Sequence, residues 1–437
     1  MTSRRISRPD VQAIYPLLPM QKGMLFHDLS SPEHQPYFRQ VSFRIQGRMD
    51  PQLCERTWNQ LMARHDSLRS CFDYENTSQL LRLVWRERGI EFDYRDLAGD
   101  DEPAQTAGLN GYRDQDRKRG FDLRRDPLMR VLLFKLGDSR FEMVWSWPHI
   151  ILDGWSGNVL LDEFARIYSD LSEHREPSLP PAPPLDQYMD WLAAGDTGAA
   201  RRYWADLLAG YENLASIPKR SDGLNRQGYD PADHAFALSD SQSAALGELA
   251  ARNGVTTATV VHSLWGILLG RYNDTDDVVF GSVVSGRPPE VAGVERMVGL
   301  FLNTIPVRVR MEPAATFAGL LQEVQRTGME SMRHDHLQLA EVQAESAMTR
   351  GLFDHVLVFE NYPDNATAGG ADFVVTSVET REHVNYDFGI LVLPGTPFRI
   401  LFNYNGCVYS AGQMRRLEMH FRTLLDQVLR NDRVPLD

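Results

Sequence analysis

Cysteine is scarce. Cys54, Cys71 and Cys407 are the only three in 437 residues, far apart and in no Cys-x-x-Cys spacing. That excludes a disulfide framework and a thiolate zinc site, and leaves buried free thiols in a reducing compartment as the expectation. Lysine is also rare, occurring only at 22, 118, 135 and 219 among 46 basic residues. Against 59 acidic residues the net charge is −13, with no polybasic run. A broad cationic face for nucleic acid or an anionic membrane is thereby excluded. No apolar stretch reaches the ~18 residues that a membrane span needs. The start, MTSRRISRPD, lacks the apolar segment of a secretory signal. A cytoplasmic location is expected, where the Asn-x-Ser/Thr triplets at Asn76, Asn273 and Asn365 are chance. There is no Gly-x-x-x-x-Gly-Lys-Ser/Thr and no dinucleotide fingerprint, so nucleotide binding has no support. His334-Asp335-His336 has no third ligand in sight, so no metal is expected.

What is present is ordinary globular material, 43% hydrophobic and 24% charged, enough for two sizeable cores. Gln40–Gln46 alternates, with Val41, Phe43 and Ile45 on one face, and reads as a half-buried strand. Asp50-Pro51 opens a helix, with Asp50 as N-cap. Leu128–Leu136 and Phe141–Trp147 form a hairpin across the Gly137-Asp138-Ser139 turn. Ser156–Leu171 follows as a helix. Glu176–Pro184, EPSLPPAPP, is an extended, stiff connector. It sets the expected boundary between a domain of residues 1–180 and one of residues 181–437.

Beyond it, helices are expected at Ser241–Asn253 (with Gly254 past its end), Thr256–Tyr272, Phe317–Met332 and Ala411–Leu429. Strands are expected at Asp277–Ser285, Leu302–Arg310, Phe353–Phe359 and Phe398–Tyr404. Without regular βαβ alternation, the fold class is α+β.

The densest chemistry lies in Trp147-Pro148-His149-Ile150-Ile151-Leu152-Asp153-Gly154-Trp155-Ser156. A histidine follows a strand, and Asp153-Gly154 turns the chain into a helix. A strand end aims His149 rigidly, Asp153 is placed to accept N–H groups or pair with an arginine, and Gly154 permits positive φ and close backbone approach. The glycine spacing of Gly154-Trp155-Ser156-Gly157 is too short for a nucleophile elbow, so Ser156 reads as an N-cap.

This segment resembles the His-His-x-x-x-Asp-Gly signature of the condensation domains of nonribosomal peptide synthetases, shared by chloramphenicol-acetyltransferase-like acyltransferases. Further blocks resemble that family in order: Tyr15 to Leu25, Arg64-His65-Asp66-Ser67-Leu68-Arg69, Tyr188-Met189-Asp190-Trp191, Gly299-Leu300-Phe301-Leu302-Asn303-Thr304, and Leu352-Phe353-Asp354 with Phe359-Glu360-Asn361-Tyr362-Pro363. One position departs: the first histidine of the signature is Pro148.

The resemblance implies two chloramphenicol-acetyltransferase-like lobes in a V-shaped pseudo-dimer with a central tunnel. It implies amide formation between a carrier-bound acyl or peptidyl thioester and an amine. His149 and Gly154 would be catalytic, the latter through its N–H at the oxyanion. Asp153, its arginine partner and Pro148 would be structural at the site. Arg64 is the first choice of partner, with Arg69 and Arg287 as rivals. Trp155, Ser156, Asn303 and Thr304 are tunnel-lining candidates. No cofactor of its own is implied, since substrates ride on the 4′-phosphopantetheine of carrier proteins. Expected partners are one or two carriers, other synthetase modules or a tailoring enzyme, with the chain itself a monomer. Two alternatives stay open: an ester-forming or free-acceptor acyltransferase, and, because of Pro148, an inactive domain that recruits a carrier or tailoring enzyme. Free-standing protein and excised domain are both compatible with the sequence.

Overall fold

A computed structural model describes residues 10–30, 37–75, 79–220, 228–349, 351–360, 372–433, 435 and 436, except 382–385. Asn76, Asn365 and the Asn361-Tyr362-Pro363 part of the last block lie outside the described residues. The chain forms two compact units. The first comprises residues 1–193, 287–301 and 362–383; the second comprises 194–286, 302–361 and 384–437. The proline-rich connector therefore lies inside the first unit, and two later stretches return to it. Among the described residues no helix is long and apolar enough to cross a membrane.

The first unit contains β1 (Val11–Pro16), β2 (Phe38–Gly47), β3 (Ser70–Asp73), β4 (Leu81–Trp85), β5 (Glu91–Asp96), β6 (Arg130–Gly137) and β7 (Arg140–Pro148). It also contains α1 (Pro19–Ser30), α2 (Pro51–Arg64), α3 (Glu102–Arg119) and α4 (Gly154–Ser172). A three-stranded sheet has the order β1-β4-β3. A five-stranded sheet places β2, β7, β6 and β5 in that order, with strand Phe373–Arg381 on the outer edge of β2. Only β5 and β6 pair in parallel within it.

The alternation of β2 explains how this sheet is packed. Val41, Phe43 and Ile45 take one face, as expected, and Phe43 stacks on Trp145 of β7. Trp145 in turn packs 5.0 Å from Trp58 of α2, which lies 5.0 Å from Phe164 of α4. The other face is open to water at Arg44 and Gln46, as a half-buried strand would be, but covered at its other end. Gln40 and Ser42 are buried there beneath α3. The layer is polar but satisfied: Arg130 Nε donates to Asp116 Oδ1 at 2.7 Å, and Arg113 pairs with Glu142. Buried charges of this kind persist only when paired, which is why acids and arginines occur together.

The second unit carries a mixed six-stranded sheet. In spatial order its strands are Asn303–Arg310, Asp277–Val284, His355–Phe359, Phe388–Leu393, Arg399–Asn405 and Pro231–Ala237. Helices were expected at the right places and begin on side-chain caps. Thr256 caps Thr257–Asn273, and Ser410 makes a capping box for Ala411–Arg430. Helix Thr257–Asn273 is buried on nearly every face, as its strongly apolar sequence requires. Of the thiols, Cys54 and Cys71 are buried and free as expected, whereas Cys407 is partly exposed.

Helix Thr257–Asn273 approaches strand Asn303–Arg310 closely at Gly266, where a β-carbon would stand 2.6–2.7 Å from the Val309 side chain. Both groups are backbone-anchored, so neither yields cheaply. We expect Gly266→Ala to lower stability by about 1–3 kcal/mol through overpacking. Denaturant unfolding measures this, and an unchanged midpoint would refute the close approach.

Candidate active site

The site is built where β7 ends. His149 donates its backbone N–H to Tyr37 O at 2.8 Å, continuing the β2–β7 ladder. Antiparallel pairs alternate in the direction of their amides. The preceding position therefore turns its nitrogen away from β2, toward β6. But β6 ends at Arg130, opposite Ser146. Proline at 148 offers no N–H to that side, the β6–β7 ladder stops at the Arg130–Ser146 pair, and its φ of −78° lies in the range its ring allows.

His149–Ile151 then makes a single 3₁₀ turn, and Asp153 caps α4. Ser156 was expected as the cap; instead Asp153 Oδ1 accepts the Ser156 N–H at 2.8 Å. The carboxylate reaches the third residue of the helix, which is N-cap geometry, and Ser156 lies one turn inside. Gly154 is the first residue of α4 and is not among the positive-φ glycines, so left-handed freedom is not why glycine stands there. Its N–H is one of the donors that a helix start leaves without an intrahelical acceptor.

Asp153 is fully buried and its partner is Arg287. Arg287 Nη2 lies 3.2 and 3.3 Å from the two carboxylate oxygens. Oδ2 also accepts from Phe301 N–H at 3.1 Å, while Asp153 N–H donates to Gly299 O at 3.0 Å. Ser156 Oγ completes the joint, donating to Gly299 O at 2.8 Å and accepting from Gly299 N–H and Arg287. Arg64, the first choice from the sequence, is engaged elsewhere. Its Nε and Nη2 donate to Glu163 of α4 at 2.9 and 3.1 Å, and Glu163 also bonds His65 Nε2 at 2.7 Å. The correction has a clear cause: Arg64 ends α2 facing the middle of α4, one acid away from the motif. Arg69 is spent on Asp66 and backbone carbonyls.

His149 is the group left available. Its Nδ1 is buried with no side-chain partner among the described residues, while the residue as a whole keeps some exposure. Burial, and then the positive charge of Arg39, hold its pKa down to about 4, against weaker upward pulls from backbone groups at His149 and Leu152 and from Asp153. The ring is therefore neutral at physiological pH. Trp155 Nε1 donates to Glu295 O at 2.7 Å, so its indole is fastened to the same 287–301 stretch. Asn303 and Thr304 belong to the second unit. The Asn303 amide holds the carbonyls of Asp335 (2.5 Å) and Leu337 (2.8 Å), a structural use.

Residues 11–437 match the family described as "Condensation domain". The chain belongs to the condensation-domain family. Among curated relatives, tyrocidine synthase 2 of Brevibacillus parabrevis is 36% identical over 436 residues, 98% of this chain and 12% of its own length. Gramicidin S synthase 2 of Brevibacillus brevis is 36% identical over 430 residues, 97% of this chain and 10% of its own length. This condensation domain thus spans a small part of those relatives. Among solved structures, the first condensation domain of the calcium-dependent antibiotic synthetase, in complex with a substrate analogue, has a TM-score of 0.78. It is 20% identical, over 98% of this chain and 99% of its own. Sequence reasoning missed the parts played by Gly299 O and Phe301 N–H in this domain, although both stand in a block that it had picked out. Backbone groups carry no sequence signal of their own.

Two outcomes follow from the site. Arg287→Ala should cost about 3–5 kcal/mol, because it strands a buried carboxylate, and adding Asp153→Asn should recover much of that loss. Additive losses in the double variant, measured by denaturant unfolding, would mean that the pair is uncoupled. The second concerns acid. His149 is neutral in the fold down to about pH 4 but takes a proton near 6.5 when unfolded. Its contribution is complete above pH 6.5 and is lost as pH falls toward 4, amounting to about 3 kcal/mol at the acid end. His149→Asn should therefore flatten the stability–pH curve between those values; an unaltered slope would refute the shift.

Proposed function

We propose that this chain joins a carrier-bound acyl or peptidyl thioester to the amine of a second carrier-bound amino acid, as an acyltransferase of nonribosomal peptide assembly. The observation that carries this reading is a neutral His149, rigidly placed at the end of β7 and one 3₁₀ turn from the Gly154 N–H that opens α4.

The thioester brings its own activation, so most of the barrier is removed by holding two reactants together, worth about 7–11 kcal/mol. An imidazole near 4 is a poor base for an ammonium near ~8. The gap of about 4 units costs roughly 5 kcal/mol. The amine therefore arrives uncharged, and His149 accepts a hydrogen bond that aims its lone pair at the thioester carbon. As the C–N bond forms, the nitrogen becomes strongly acidic, and even a weak base can then take its proton. Gly154 N–H faces the oxyanion, and collapse expels the pantetheine thiolate, which receives the proton. A neutral alcohol is a much weaker nucleophile than a neutral amine and needs its proton drawn off during attack, which a base near 4 does poorly, so the ester-forming reading is less well supported. The recruitment reading rested on Pro148, and the β7 end holds that residue at a φ its ring allows while the ladder to β2 runs on through His149.

The test is a mass-spectrometric condensation assay with acyl-loaded and aminoacyl-loaded carriers. His149→Ala should lower kcat/KM by about 10²–10⁴-fold with folding intact. The native kcat/KM should rise about tenfold per pH unit up to ~8, the pKa of the amine, with no inflection near ~6.5. An inflection near 6.5 that disappears in His149→Ala would show a charged histidine and overturn the neutral-acceptor mechanism. No product with any loaded pair would overturn the function.

A further inference from the structure

A cavity of about 300 Å³ opens beside the motif, within the first unit, with Pro148 and Ile150 in its wall on either side of His149. Its size stands at the lower end of the ~300–1,000 Å³ usual for small-molecule sites, so it suits a single side chain rather than a peptide. Three aromatic residues, Tyr37, Phe38 and Phe121, contribute to the lining. Pro148 adds an aliphatic, uncharged surface where the family pattern would place an imidazole.

The charges in the wall are three, and they are not equivalent. Arg119 is held by both carboxylate oxygens of Glu91. Asp122 accepts from Arg124 N–H and lies within ion-pair distance of Arg124 and Arg125. Two further guanidinium groups lie on the rings from outside the lining: Arg117 over Phe38, and Arg130, itself paired with Asp116, over Phe121. None of them forms an ion pair with Asp28. That carboxylate, on α1, has no hydrogen bond or ion pair among the described residues, and burial pushes its pKa up with no cation to offset it. A carboxylate without a counter-ion, in a side-chain-sized cavity with aromatic walls, is the chemistry that recognises an organic cation.

We propose that this cavity is a site for a side-chain-sized ammonium or guanidinium group, with Asp28 as its counter-ion. On the condensation reading, which this inference rests on only for the ligand's source, the cation is the side chain of a basic aminoacyl group on one of the two carriers. The protein would then favour lysine-, ornithine- or arginine-like building blocks.

Binding is tested first, without chemistry, on the full chain. Nα-acetyl-lysine methyl ester and Nα-acetyl-norleucine methyl ester differ by the side-chain charge, and ligand-observed NMR titration gives both affinities. The lysine ester should bind roughly tenfold more tightly, and Asp28→Asn should bring the two together. The variant's fold is checked by its unfolding midpoint, and Asp28→Glu should keep part of the preference. Equal affinities in the native protein, no saturable binding of the lysine ester, or a preference that survives Asp28→Asn would each overturn the site. The condensation assay then separates the sources: a lysyl donor with a leucyl acceptor, and a leucyl donor with a lysyl acceptor, each compared with its norleucyl counterpart. The arm in which Asp28→Asn removes the rate preference names the substrate. A rate preference unaffected by Asp28→Asn in both arms would overturn the assignment to a substrate. Asp28-dependent binding without product in either arm would uphold the cation site while the condensation reading fails.

Discussion

Everything at the site depends on one buried ion pair. Asp153 gives α4 its cap, takes a guanidinium from Arg287 and receives the amide of Phe301, so a single carboxylate fixes a helix start and a returning chain segment together. A pair like this contributes little as attraction alone, because removing two charges from water costs several kcal/mol per ion. Its value is that no other arrangement satisfies the charge. Any displacement of residues 287–301 would leave Asp153 buried without its cation, and the resulting penalty keeps that stretch in register with the motif. Ser156 and Gly299 extend the same joint through both hydrogen-bonding groups of Gly299.

The consequence for chemistry is pre-organisation. His149 needs no charged partner to orient it, because its backbone is tied into the sheet at Tyr37 and the next turn is tied to α4. Positioning therefore costs nothing at the moment of reaction, and the ring can remain neutral. In triad-type sites a carboxylate stabilises the imidazolium that forms. Here the carboxylate faces Arg287, and Arg39 pushes the ring further from protonation. Such a site suits a reaction whose electrophile is already activated and whose nucleophile needs only to be held uncharged.

The elements were legible in the sequence because their signals are local. Asp50-Pro51 at a helix start, Gly254 after a helix end, and the alternation of Val41, Phe43 and Ile45 each report within a few residues. The second, polar layer under α3 was not legible, since Gln40 and Ser42 look like solvent-facing positions until Arg113, Arg130 and Asp116 arrive from elsewhere in the chain. The partner of Asp153 was not legible either. Three arginines had the right chemistry, and only the fold shows that two of them already face Asp66 and Glu163. Pairing across 134 positions is a tertiary fact. The division into units escaped for the same reason: EPSLPPAPP is a stiff connector by composition, but whether a connector separates two cores or runs along one depends on where later segments return.

Pro148 shows why a substitution in a signature has to be read through backbone geometry before it is read as loss. A proline in the middle of β7 would delete a ladder bond and disturb the aim of His149. At its last residue, past the final β6 pair at Ser146, it leaves the ladder to β2 intact and restricts φ where the strand needs it. What changes is the side chain, and that side chain lines a cavity rather than the joint around Asp153. The departure therefore acts on what can be accommodated beside the histidine, while the interactions that place the histidine are carried by Tyr37, Asp153 and Arg287, all of which are retained.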